Sequence, residues 1–66
     1  MKIKVNNQTT TIASGSSVSD LIQQMKLNDK RLAIEHNRNI LSREQFATTM
    51  LQDGDIIEMV NLVGGG

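Results

Sequence analysis

Hydrophobic and polar positions alternate from the first residue of the chain. Met1, Ile3 and Val5 fall on one side, and Lys2 and Lys4 on the other. This period of two is that of a half-buried strand. Asn6-Asn7 follows, two residues that tolerate positive φ and suit a tight hairpin turn. Gln8 to Ala13, rich in threonine and carrying Ile12, reads as the returning strand with a solvated threonine face. Ser14-Gly15-Ser16-Ser17 breaks it. Ser17 suits a helix N-cap, with Asp20 three residues on as a short capping box. Val18, Leu21, Ile22 and Met25 then recur at i, i+3, i+4 and i+7, so the spacing predicts a helix over about Val18 to Lys26 with one apolar stripe.

Beyond a polar connection at Leu27 to Lys30, alternation resumes from Arg31 to Glu35, with Leu32 and Ile34 apolar. His36 to Asn39 reads as a polar turn that leaves His36 solvated. Ile40-Leu41 reads as a short strand, and Ser42 to Gln45 as the start of a helical turn that drops Phe46 onto the core. Gln52-Asp53-Gly54-Asp55 reads as the turn before the last strand, Asp55 to Val63. That strand is apolar on both faces. Ile57 and Met59 lie on one face; Ile56, Val60 and Leu62 lie on the other, together with Glu58. Two-sided apolar strands belong at the centre of a sheet. One helix covers one face, so the second row is covered by a loop or left as an exposed patch. The patch is the expectation, with Ile56, Glu58, Val60 and Leu62 as a partner-binding surface.

The order strand, strand, helix, strand, short strand, strand leaves the first strand central and free to pair in parallel with the last. This predicts an α+β fold of β-grasp (ubiquitin-like) type: a mixed sheet of four to five strands with one main helix packed across it. The expected organisation is a single domain over 1–63 and a flexible glycine tail over 64–66. A chain of 66 residues supports one small domain.

Composition narrows the chemistry. Seven basic residues cancel seven acidic ones, and Phe46 is the sole aromatic. Bulk charge and base stacking therefore give no hold on nucleic acid, and no long apolar run suggests a membrane span. No leader is apparent, so the chain is expected to be unprocessed and cytoplasmic. Cysteine is absent, which excludes disulfides and thiolate metal sites. The lone His36 has no companion ligand. Gly15 lacks the lysine pattern of a phosphate loop, and Asp53-Gly54-Asp55 lacks the spacing of a calcium loop. The sequence thus holds no catalytic residue and no metal site. One feature with chemical potential is left, Gly64-Gly65-Gly66. Glycine adds no side chain, and a terminal carboxylate, ionised at neutral pH, on so slim an arm can enter another protein's active site.

With these pieces assembled, the chain resembles the small sulfur-carrier proteins, most closely the carriers of bacterial thiamine thiazole synthesis. The matching segments are Met1 to Asn6, Ser17-Val18-x-x-Leu21-Ile22, Leu32-Ala33-Ile34, Ile40-Leu41, Arg43-Glu44-x-Phe46, Leu51-x-Asp53-Gly54-Asp55 and Val63-Gly64-Gly65-Gly66. The molybdopterin carrier is similar but generally longer. Ser42 departs from the pattern, since relatives often carry proline there, which loosens the turn slightly.

The resemblance implies a carrier, not an enzyme, with no cofactor bound by the chain itself. A partner adenylyltransferase of the ubiquitin-activating type would use ATP and Mg²⁺ to adenylate the Gly66 carboxylate. Sulfur from a persulfide donor protein would then give a thiocarboxylate on Gly66, and thiazole synthase would take that sulfur. Gly64, Gly65 and Gly66 would thread into the partner's active site. Alternative readings are a molybdopterin-type carrier, a ubiquitin-like protein modifier, or a non-catalytic β-grasp binding module.

Overall fold

The chain folds by closing two hairpins around one central strand. The computed structural model describes residues 1–62. The first hairpin pairs β1 (Lys2–Val5) antiparallel with β2 (Gln8–Thr11), with Val5 opposite Gln8. Asn6 and Asn7 bridge the strands with φ of 50° and 69°, the two left-handed conformations that a two-residue hairpin turn of matching twist requires. The second hairpin repeats the solution. β3 (Leu32–His36) pairs antiparallel with β4 (Asn39–Leu41), His36 opposite Asn39, and Asn37 and Arg38 turn with φ of 50° and 71°. The turn thus takes two residues where four were expected, which leaves His36 and Asn39 as paired strand ends.

The last strand, β5 (Ile56–Asn61), inserts between the hairpins. It runs parallel to β1, with Lys4 opposite Ile56, and antiparallel to β3, with Glu35 opposite Glu58. The sheet order is β2-β1-β5-β3-β4, the mixed five-stranded arrangement anticipated from the element order. The Leu62 N–H donates to the Arg31 carbonyl at 2.6 Å and continues the β3–β5 ladder by one bond.

The helix α1 (Val18–Gln24) crosses one face. Its capping box forms: the Ser17 hydroxyl accepts from the Asp20 N–H at 3.1 Å, and Asp20 accepts from the Ser17 N–H at 2.8 Å. The helix ends earlier than its apolar spacing suggests, and Met25 is exposed. The cause is local. Lys26 takes a φ of 58° and donates to the Gln23 carbonyl, and Leu27 donates to the Ile22 carbonyl. These are the two reversed bonds of a Schellman ending. Leu27, not Met25, thereby becomes the next side chain packed against the core.

The core joins Val18, Leu21 and Ile22 of α1 to the inner sheet row of Ile3, Val5, Leu32, Ile34, Ile57 and Met59. Ile12, Phe46 and Leu51 close its rim. Phe46 sits at the end of a short 3₁₀ turn (Arg43–Gln45), where the Ser42 N–H donates to Gln45 Oε1 at 2.9 Å. A proline at position 42 would have no N–H to give to that bond.

Candidate functional site

The candidate site is β5 and what holds it. Its inner residues Ile57 and Met59 are buried. Its outer residues Ile56 and Val60, and Leu62 just beyond its end, are 45%, 59% and 51% exposed, with exposed Glu58 among them. The second apolar row is therefore uncovered by any described part of the chain. The reason is topological: α1 covers one face, and the loop from Ser42 to Asp55 packs Phe46 and Leu51 into the same core layer. The structure also adds neighbours that the linear sequence did not group with this row. Ala33 lies opposite Val60, Glu35 opposite Glu58, and Ile40 opposite Glu35. Ile40 is 80% exposed, the largest value among the exposed large hydrophobics of the described residues. Lys4 lies opposite Ile56 from the other side.

Two asparagines fix β5 in place. Asn6 donates from Nδ2 to the Met59 carbonyl at 3.2 Å and accepts the Met59 N–H on Oδ1 at 2.8 Å. Its side-chain amide thus acts as one more backbone unit of β1, extending the parallel ladder after the hairpin has turned away. Asn37 does the equivalent at the start of the strand. Its Oδ1 accepts the Ile56 N–H at 2.9 Å, and its own N–H donates to the Ile56 carbonyl at 2.8 Å. Both asparagines occupy the first position of their turn, so the residues that form the hairpins also clamp the strand between them. The sequence signal was the asparagine at each turn; the second role needed the sheet order.

Asp55 is buried at the foot of β5. It accepts from the Gln52 N–H at 2.9 Å and from Asn37 Nδ2 at 3.1 Å, and its Oδ2 lies 2.7 Å from His36 Nε2. His36 is half-buried at the end of β3, which corrects its reading as a solvated turn residue. Burial pushes the Asp55 carboxyl up. The hydrogen bonds from His36, Gln52 and Asn37 and the charge of His36 outweigh that and hold it below the usual carboxylate range. Asp53 accepts the Lys2 N–H at 2.7 Å, and the Gly54 N–H donates to the Lys2 carbonyl at 2.8 Å. Both carboxylates of the Asp-Gly-Asp turn are thus committed to this chain's own donors, with Gly54 at a φ of 88° making the turn. The knot of His36, Asn37 and Asp55 is structural: it ties the second hairpin and the turn to the foot of the central strand.

The remaining residues singled out in the sequence, Val63 and the glycines Gly64, Gly65 and Gly66, lie outside the described residues. No helix among the described residues is long and apolar enough to cross a membrane.

A mixed five-stranded sheet crossed by one helix, with its first and last strands parallel at the centre, defines a β-grasp protein of the ubiquitin-like class. Within that class the pattern of the ThiS family matches residues 3–66, and the chain belongs to that family. It is 35% identical to the sulfur carrier protein ThiS of Escherichia coli (strain K12) over 66 residues, covering all of both chains. The crystal structure of the thiamine biosynthesis protein ThiS from Geobacter metallireducens superposes with a TM-score of 0.85 at 32% identity, again covering all of both chains. The chain is also 30% identical over its whole length to a thiazole synthase of Magnetococcus marinus, of which it spans 20% of the length.

Proposed function

We propose that this chain is a sulfur carrier of thiamine thiazole formation, a co-substrate that other enzymes act upon. The observation that carries the reading is end-to-end similarity, in sequence to a ThiS sulfur carrier and in fold to a ThiS protein. The similarity to a thiazole synthase supports thiazole synthase as the protein that takes the sulfur. Gly66 is the reactive residue. An adenylyltransferase of the ubiquitin-activating type, using ATP and Mg²⁺, joins the Gly66 carboxylate to AMP with release of pyrophosphate. The step is needed because a carboxylate has no usable leaving group, and AMP supplies one. Sulfur from a persulfide donor protein then displaces AMP. The bond formed is an acyl disulfide between Gly66 and the donor. A thiol reductant then attacks the donor's sulfur, leaves with it as a disulfide, and frees the thiocarboxylate, so that one oxygen of the carboxylate has been replaced by sulfur.

The fold suits this division of labour. The outer face of β5, with Ile56, Glu58, Val60 and Leu62, is the surface a partner grips. Gly64, Gly65 and Gly66 pass into that partner's active site without side chains to obstruct a narrow channel. Four residues separate Leu62 from the end of Gly66, and an extended chain of that length reaches at most about 14 Å. A partner holding Leu62 thus keeps the carboxylate at high effective concentration beside its nucleotide.

The test is intact mass of the chain after incubation with a cognate adenylyltransferase, ATP with Mg²⁺, a persulfide donor and a thiol reductant. A gain equal to the difference between sulfur and oxygen is the expected result. An unchanged mass with a partner of demonstrated activity rules the reading out. Gly65→Val should block the modification and leave the melting curve of the domain in place.

A further inference from the structure

On the outer face of the sheet, Glu35 of β3 and Glu58 of β5 stand directly opposite each other. Both are exposed. Like charges at directly opposite positions destabilise a sheet. No ion pair engages either glutamate, since the one ion pair among the described residues joins His36 to Asp55. Arg38 borders the same open depression, of about 410 Å³, together with Asn7 and Ile56, yet it makes no ion pair with either glutamate.

Beside the two carboxylates lies a smaller notch of about 110 Å³, walled by Ala33, Ile40 and Val60 as well as by the glutamates. Ala33 faces Val60 across the ladder, and its one-carbon side chain leaves the gap. Two facing carboxylates therefore border an apolar notch, all on strands that the core holds rigidly from behind.

One side chain matches both halves of this site. Arginine has an apolar stem that packs along hydrophobic surface. Its planar guanidinium offers five N–H donors in a fork that can serve two carboxylates at once, where lysine brings a compact, strongly hydrated point charge. We infer that the adenylyltransferase docks on this face with an arginine whose head sits between Glu35 and Glu58 and whose stem lies over Ala33, Ile40 and Val60. The inference rests on the carrier reading above and adds Glu35 and Ile40 to the surface. It also gives the glutamate pair a purpose. The repulsion is present in the free chain and turns into attraction when the cation arrives, so the pair favours the complex over the unbound state and speeds encounter with a basic surface.

The full chain carrying Glu35→Gln and Glu58→Gln tests this, with binding to the adenylyltransferase titrated at several ionic strengths. The expected result has three parts. Affinity falls about tenfold or more, as for loss of charge-assisted hydrogen bonds. The salt dependence of binding flattens. The melting temperature stays level or rises, because the repulsion is gone. Unchanged affinity and salt dependence overturn the assignment, as does an affinity loss matched by a drop in melting temperature. Self-association of the parent chain that the double variant abolishes overturns it too, because the cation would then come from a second copy. ATP–pyrophosphate exchange on the same samples separates the two levels. If the parent chain supports no exchange at saturating concentration, the carrier reading falls and takes this one with it. If it supports exchange while the variant binds equally well, the arginine seat alone is refuted.

Discussion

Ile56 and Ile57 are the same side chain at adjacent positions of one strand, yet Ile57 has no exposed surface and Ile56 is 45% exposed. The pattern continues along β5, with Met59 buried and Val60 exposed. The two rows are about equally hydrophobic, so hydrophobicity alone does not sort them. What sorts them is the single helix. A β-grasp sheet has one covered face, and the pleat sends alternate residues to opposite sides. The inner row contributes to the stability of the fold. The outer row adds little to it and is free to contribute to binding. Only one of the strand's two apolar faces is therefore used by the fold, and substitutions on the two faces should have separable effects.

The largest effect belongs to the inner row. Ile57→Ala empties part of a fully buried site and should cost about 2–5 kcal/mol, as such truncations do. A domain of this size has a total stability of roughly 3–10 kcal/mol, so urea titration should find the variant partly unfolded or close to it. A loss under about 1 kcal/mol would mean that the inner row is less tightly packed than its burial indicates.

The foot of the strand comes next. Asp55→Ala leaves the Gln52 N–H, the Asn37 amide and His36 without their shared acceptor. It should cost about 1–3 kcal/mol in the same titration. It should also loosen the hold on the start of β5, which hydrogen exchange at the Ile56 amide reads directly.

On the outer row, Val60→Asp should cost the fold about 1 kcal/mol or less. It should weaken partner binding by about tenfold or more, a difference of about 1.4 kcal/mol. Unfolding of this variant would erase the distinction between the rows.

The smallest effect is acid sensitivity. The folded-state pKa of Asp55 is lowered relative to its ordinary 3.8. The carboxylate therefore contributes stability that is fully present above the ordinary value and is lost as pH falls through the folded one. Urea midpoints followed from neutral pH to below 3.8 should fall in the parent chain. The decline should be shallower in Asp55→Ala, which has no such group to protonate.

Much of this protein is legible along the chain because local rules carry it. Alternation marked β1 and β3, Ser17 with Asp20 marked the start of α1, and the asparagine pair marked the first turn. The two-sided apolarity of β5 pointed to the centre of the sheet, where it does lie, although only one of its apolar faces is buried. Three things required the folded chain. The helix end depended on Lys26 adopting a left-handed conformation, which carries no glycine signal. The role of His36 depended on a two-residue turn that brings it to Asp55, 19 positions away. The pairing of Glu35 with Glu58 depended on the register between β3 and β5, and a shift of β3 by one residue would have sent Glu35 to the core face. Sequence by itself determined the elements, the family resemblance and the row of apolar residues left over on β5. Tertiary structure alone decided what lies beside that row, because neighbours across a sheet are set by strand order and register, and neither is written in the spacing of any single segment.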